Sequence, residues 1–331
     1  MTILVGVDEV VPADEVERPP GVPADALLVA VVPRRLTASS DPEQGQEVLA
    51  QDPVLAAAAE VGLGWAGFGA RARVDEMSAA YGGIEQERFY RIRRYQGMTG
   101  EKLIMACTTG VEAQLWRRRR EGQCHNTEHE MAHRAVTELQ AYFLMATGHD
   151  LANITGRVLA LDPALRVRLL ERLGTGFPVG ATGFNDYVSL NAGCAQSMRK
   201  VSKASSYTTL KTAPDAISQL VVDTAWRAMT DGRHGEFHRE RSPSHGSLVL
   251  PERAWELRDG VRTFYINGPE TSAAAENLAL ERADACMDAL KVLTVQMRSL
   301  GEVIDAVLEE FSEKVTEAKH GGTTREGGGA S

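Results

Sequence analysis

Apolar positions recur in steps of three and four along most of this chain, and only at its start in short β-branched runs. Residues 1–46 hold two such runs, 3–7 and 27–32, parted by Pro19-Pro20-Gly21, and these predict a small strand pair. From 47 to 123 the sequence turns alanine-rich and helical, punctuated at Gly82-Gly83 and between Gly97 and Gly100. A helical pattern over about 128–161 carries Val136, Leu139, Phe143, Ala146 and Ile154 and is stopped by Asp162-Pro163. Further helices are expected over 162–173, 184–200 and from Pro214 to about Met229, followed by a polar loop and a hairpin pairing 247–250 with 261–266. The clearest element comes last: Cys286, Leu290, Leu293, Met297, Leu300, Ile304, Val307 and Phe311 alternate by four and three, the seam of a bundle or coiled coil.

The expected fold is therefore mainly α, a helical bundle with a long C-terminal helix and a small mixed α/β N-terminal portion. The expected division is 1–123 as the mixed N-terminal region and 124–319 as a helical domain with a loop and hairpin insert at 231–269. The polar, glycine-rich residues 320–331 form a disordered tail in this reading.

Composition narrows the function classes. Across 331 residues, 36 Lys and Arg stand against 45 Asp and Glu, giving a net charge of −9, which argues against a generally basic nucleic-acid coat but leaves room for a local basic site. No apolar run approaches the roughly 20 residues a bilayer span needs, and the first residues lack a signal-peptide pattern, so a cytoplasmic protein without a membrane partner is expected. Cys107, Cys124, Cys194 and Cys286 are too scattered for a disulfide framework or a thiolate metal site, and are expected to be reduced and mostly buried. Phosphate-binding P-loops, dinucleotide fingerprints and nucleophile elbows are absent from the sequence, and no cofactor is expected.

Two histidine motifs could carry chemistry. His129, Glu130 and His133 form a literal H-E-x-x-H, which on a helix sets two imidazoles one turn apart with a carboxylate able to serve a zinc-bound water. A third ligand is hard to find, since Val136 and Leu139 occupy the places where one zincin class carries Gly and His, and no Glu falls between Glu138 and Glu171. The plainer expectation is a pair of solvated histidines in a first helical turn. The second motif is Arg233, His234 and His238 in the polar loop after the Pro214 helix. Imidazole can move the protons of RNA transesterification and guanidinium can neutralise the phosphorane-like transition state, so this set can cleave RNA without metal.

In that order, Arg233, His234 and His238 resemble the motif of the HEPN superfamily, and the helix of residues 135–153 resembles the long first helix of HEPN-like domains. The resemblance covers about 128–313. It implies an all-helical domain, a homodimer with a composite site, metal-independent endoribonuclease activity, and a setting in stress or phage defence. Within that implied site Arg233 would stabilise the phosphate, His238 would be the acid/base, and His234 would support both. The departures are Gly232 and Gly235 around the motif, Pro243 after it, and the hairpin that separates it from the last helix.

RNA is the expected partner for a second reason. Arg88, Tyr90, Arg91, Arg93 and Arg94 interleave guanidinium and aromatic groups, a pattern that binds phosphate while stacking on unpaired bases. His149, Asp150 and Asn153 form a polar notch on an apolar helix, either facing the Arg233 loop or satisfying one another in the core. The main alternative function is a non-catalytic helical scaffold or nucleic-acid-binding protein, and the third is a zinc metalloprotein built on His129, Glu130 and His133.

Overall fold

The computed structural model describes residues 42–78, 84–121, 127–173, 188–238, 255–258, 261–264 and 269–321. The strand pair expected at 3–7 and 27–32, the tail beyond 321 and Cys124 lie outside them. The described residues are mainly α, and none of their helices is long and apolar enough to cross a membrane.

Proline and a capping side chain set several helix starts. Asp52 closes α1 (Pro42–Gln51) and opens α2 (Pro53–Ser78), its Oδ1 accepting from the backbone N–H of Val54 at 2.9 Å and of Leu55 at 3.1 Å. Asp162 does the same between α4 (Thr127–Leu159) and α5 (Pro163–Leu173), accepting from Ala164 N–H at 2.9 Å. Asn191 caps α6 (Ala192–Ser202) by accepting from Cys194 N–H at 2.8 Å, so this helix starts eight residues later than the pattern from Phe184 predicts. Two short helices follow, α7 (Thr208–Thr212) and α8 (Asp215–Val222).

Between α2 and α4 runs α3 (Ile84–Glu121), which passes through Gly97 and Gly100 without the break that the glycines predict. Both glycines are buried, so close packing outweighs the roughly 1 kcal/mol that each costs a helix relative to alanine. Likewise, the helix expected from Pro214 to Met229 ends at Asp223, and a new one, α9 (Thr224–His238), continues past Met229 to His238. Burial of Trp226 and Met229 anchors its first turns. The hairpin pairs β1 (Trp255–Arg258) with β2 (Val261–Phe264), Trp255 opposite Phe264. Residues 247–250, expected as the first strand, lie outside the described residues; the strand that pairs with Val261 onward is separated from it by Asp259-Gly260, the stronger hairpin signal. The final helix α10 (Pro269–Gly321) spans 53 residues.

The chain forms two compact units. Unit 1 contains the described residues of Met1–Leu63, Gly100–Ala146 and Thr224–Val292, and unit 2 those of Gly64–Thr99, Thr147–Asp223 and Leu293–Ser331. Each of α2, α3, α4 and α10 therefore contributes a segment to both. In unit 1 the core gathers Leu55, Leu103, Val111, Leu115, Leu144 and Leu290; in unit 2 it gathers Ile92, Leu151, Ile154, Met198, Leu220, Leu300 and Ile304. The seam of α10 is consumed in these cores, since Leu290, Leu293, Met297, Leu300, Ile304 and Val307 are all 0 % exposed within the single chain. The side chain of Phe311 lies outside the described residues.

Candidate functional site

The helical backbone of α9 carries Arg233, His234 and His238 in its last two turns, not in a loop as the surrounding glycines predict. At about 100° per residue, positions 234 and 238 share one face a turn apart, whereas positions 233 and 238 are separated by about 140° around the axis. The side chains of all three lie outside the described residues.

His129 and Glu130 likewise have helical backbone, on the first turn of α4, and their side chains lie outside the described residues. His133 departs from the expected solvated pair, because it is 1 % exposed. It belongs to the lining of a cleft in unit 1, with a volume of about 210 Å³, to which α2, α3, α4 and α10 all contribute. Gln140, also 1 % exposed, stands two turns along α4 and donates from Nε2 to the thioether sulfur of Met287 at 3.5 Å. Gly110 of α3 makes room for that carboxamide: a Cβ there would sit 2.5 Å from Gln140 Nε2 and 3.0 Å from Leu55 Cδ2. Asp52 has its second oxygen filled by Gln114 Nε2 at 2.7 Å. At the rim, Arg117 donates to Asp284 Oδ1 at 2.8 Å, and Asp288 follows one turn along α10. The sequence singled out only His133 of this set; the others come from four separate helices, and no local spacing joins them. Among the described residues, no three His, Cys, Asp or Glu stand close enough to hold a metal ion.

Also on α4 in the same unit, Arg134 Nε donates to Glu138 Oε1 at 3.3 Å. Burial and the neighbouring Arg134 lower the pKa of the half-buried Arg282, while Glu138 and Cys286 oppose the shift.

The arginine-rich stretch belongs to unit 2, and part of it is spent on internal contacts. Arg93 pairs with Asp305 at 2.7 Å and donates to Gln96 Oε1 at 2.9 Å. Tyr95, next in the run, lies under the Arg157 guanidinium at 3.8 Å from its ring centre, and its hydroxyl accepts from Arg157 at 2.9 Å. Arg88, Arg91 and Arg94 are half-buried on α3, and the side chain of Tyr90 lies outside the described residues.

The polar notch of α4 is a clamp. Asn153 Nδ2 donates to Val188 C=O at 3.0 Å, Val188 N–H donates back to Asn153 Oδ1 at 3.0 Å, and Leu190 N–H donates to His149 Nδ1 at 2.8 Å. Asp150 accepts from Thr99 at 3.5 Å. His149 and Asn153 thus fix the approach to the Asn191 cap of α6, while Asp150 ties α4 to α3.

With this geometry in hand, comparison with known proteins identifies no relative: no family model, no curated protein and no solved structure matches the chain.

Proposed function

We propose that the chain is a metal-independent endoribonuclease of the HEPN type, acting as a homodimer through Arg233, His234 and His238. The observation that carries this reading is the placement of all three residues on the end of one helix, α9, in a mainly α chain. In the reaction, the 2′-hydroxyl attacks the adjacent phosphorus as His238 takes its proton. The P–O5′ bond breaks, the 5′-oxygen leaves with a proton supplied by imidazole, and Arg233 neutralises charge on the phosphorane-like transition state. His234, one turn before His238 on the same face, supports the proton transfers. The angular separation of positions 233 and 238 favours a composite site, with Arg233 from one protomer acting beside His238 from the other.

The test is cleavage of a labelled mixed RNA pool by the wild type, Arg233→Ala and His238→Ala, with and without EDTA. Cleavage that withstands EDTA, leaves 2′,3′-cyclic phosphate and is lost in both folded variants is the expected result. Cleavage abolished by EDTA would reject the reading.

A second reading, a non-catalytic helical scaffold or nucleic-acid-binding protein, draws on the contribution of α2, α3, α4 and α10 to both units. It predicts RNA binding that survives both substitutions.

A further inference from the structure

Independently of the α9 motif, we propose that His149 is a proton-released latch: protonation of its imidazole frees residues 188–191 from α4 and loosens the start of α6. The hydrogen bond at its centre has only one possible polarity. A backbone N–H can only donate, so the 2.8 Å contact from Leu190 N–H requires an unprotonated Nδ1 on His149. Histidinium carries a proton on both ring nitrogens. At that separation two N–H groups would point at each other, so the charged ring and the seated Leu190 exclude one another.

What the latch holds follows from the bonds on either side. Before Leu190, Val188 exchanges both backbone groups with Asn153, one turn along α4 from His149. After it, Asn191 caps α6 through Cys194 N–H at 2.8 Å and donates to Ser189 C=O at 3.2 Å. Loss of the Leu190 bond therefore leaves the Asn153 pair to hold one end of the segment, while the cap is carried on the released end. A cap that loses its position leaves first-turn N–H groups unpaired. The helix affected buries Cys194, Ala195, Met198 and Val201 within unit 2.

The surroundings leave the imidazole as the group that titrates near neutral pH. Around it, α4 itself contributes Asp150 and Arg157, and α3 contributes Tyr95. Asp150 accepts from Thr99 on α3, and Arg157 lies over the Tyr95 ring and bonds its hydroxyl. Residues 188–191 carry no ionisable side chain, and the first turn of α6 brings only Cys194, whose burial pushes it up to about 11. Linkage then fixes the sign. The closed segment accepts only the neutral ring and the open one accepts both forms, so the latch is whole above the ordinary imidazole value of about 6.5 and weakens as pH falls below it. With protonation excluded from the closed state, opening becomes about tenfold more favourable between about pH 7.5 and 5.5.

Hydrogen exchange on the full chain tests this, resolved to the Leu190 amide and expressed as protection relative to the free-peptide rate at each pH. In the wild type, protection at pH 5.5 is expected to be about tenfold lower than at pH 7.5, while buried α10 amides from Leu300 to Val307 keep theirs. His149→Gln, whose side chain does not titrate, should lose the pH dependence. Asn153→Ala should lower protection at both pH values and retain the fall between them. Equal wild-type protection at the two pH values, or the same fall in His149→Gln, overturns the proposal. Should His149→Gln not fold, the wild type alone decides by nuclear magnetic resonance: the His149 ring and the Leu190 amide are expected to titrate with one midpoint, and separate midpoints overturn the latch. RNA cleavage plays no part in either readout, so failure here is distinct from failure of the ribonuclease reading.

Discussion

Asn153 shows how one side chain can stand in for secondary structure. Its carboxamide offers Val188 both a donor and an acceptor, as a neighbouring β-strand would, and a third bond returns to His149 C=O at 2.8 Å. Removing it leaves the Val188 backbone groups without those partners, so Asn153→Ala is expected to lower unfolding free energy by about 1–3 kcal/mol, measurable by urea denaturation. The notch itself was visible at 149, 150 and 153, because polar groups interrupt an apolar helical face there. Its target was not, since Val188 and Leu190 lie 35 and 41 residues further on. The cysteines were easier to read, and their burial has a consequence at alkaline pH. Desolvation pushes Cys107 and Cys286 up to about 12 and Cys194 up to about 11, against an ordinary 9.0, with Arg282 pulling Cys286 slightly back. Above pH 9 the unfolded chain releases these protons while the folded chain retains them, so stability is fully present below pH 9 and is lost as pH rises towards 12. Each thiol should add about 1.4 kcal/mol per pH unit to that decline. Urea denaturation between pH 8 and 11 checks this, and a Cys107→Ala, Cys194→Ala, Cys286→Ala variant should flatten the slope.

Within α2, three glycines have different meanings that composition alone does not distinguish. A Cβ at Gly62 would lie 2.9 Å from Ile104 Cγ1 and 3.2 Å from Gly100 C=O, so here the glycine allows α2 and α3 to approach closely. Around Gly64 and Gly67, a Cβ would meet nothing within 4 Å. Gly62→Ala is therefore expected to destabilise by about 1–3 kcal/mol through overpacking, whereas Gly64→Ala and Gly67→Ala should each stabilise by about 0.5–1 kcal/mol through helix propensity. Thermal unfolding of the three single variants, with opposite signs expected, is the measurement. The same contrast explains which elements sequence patterning recovered. Helices α4, α5 and α10 were marked by apolar periodicity and by Asp162-Pro163, signals contained within each element. The continuation of α3 through Gly97 and Gly100, and of α9 through Gly232 and Gly235, went against local propensity. Burial holds Gly97 and Gly100, and Trp226 and Met229 anchor α9; such long-range packing leaves no mark in a window of neighbouring residues.

The long seam on α10 had two possible destinations, another chain or the interior of its own. Burial decides between them for the residues from Leu290 to Val307, because their side chains are already enclosed by one chain and are unavailable to a partner without unfolding. Leu300→Asp should therefore abolish the folded state at every protein concentration, instead of producing monomers whose recovery depends on concentration; circular dichroism and sedimentation of the variant across a dilution series distinguish the two. A homodimer of the kind proposed for catalysis must then use other surfaces, and the geometry of α9 provides a way to detect it through chemistry. If positions 233 and 238 act from different protomers, Arg233→Ala and His238→Ala chains are each inactive alone, but a mixed dimer retains one complete site. Random exchange between equal amounts places about half of all dimers in the mixed class, each with one of its two sites intact, so cleavage should return to about a quarter of the wild-type rate. Recovery on mixing would establish both the dimer and the division of labour between Arg233 and His238. Active RNA cleavage by the wild type with no recovery in a demonstrably exchanged mixture would place the whole site within one chain, in which case a bend or unwinding of α9 would have to bring the two positions to one side.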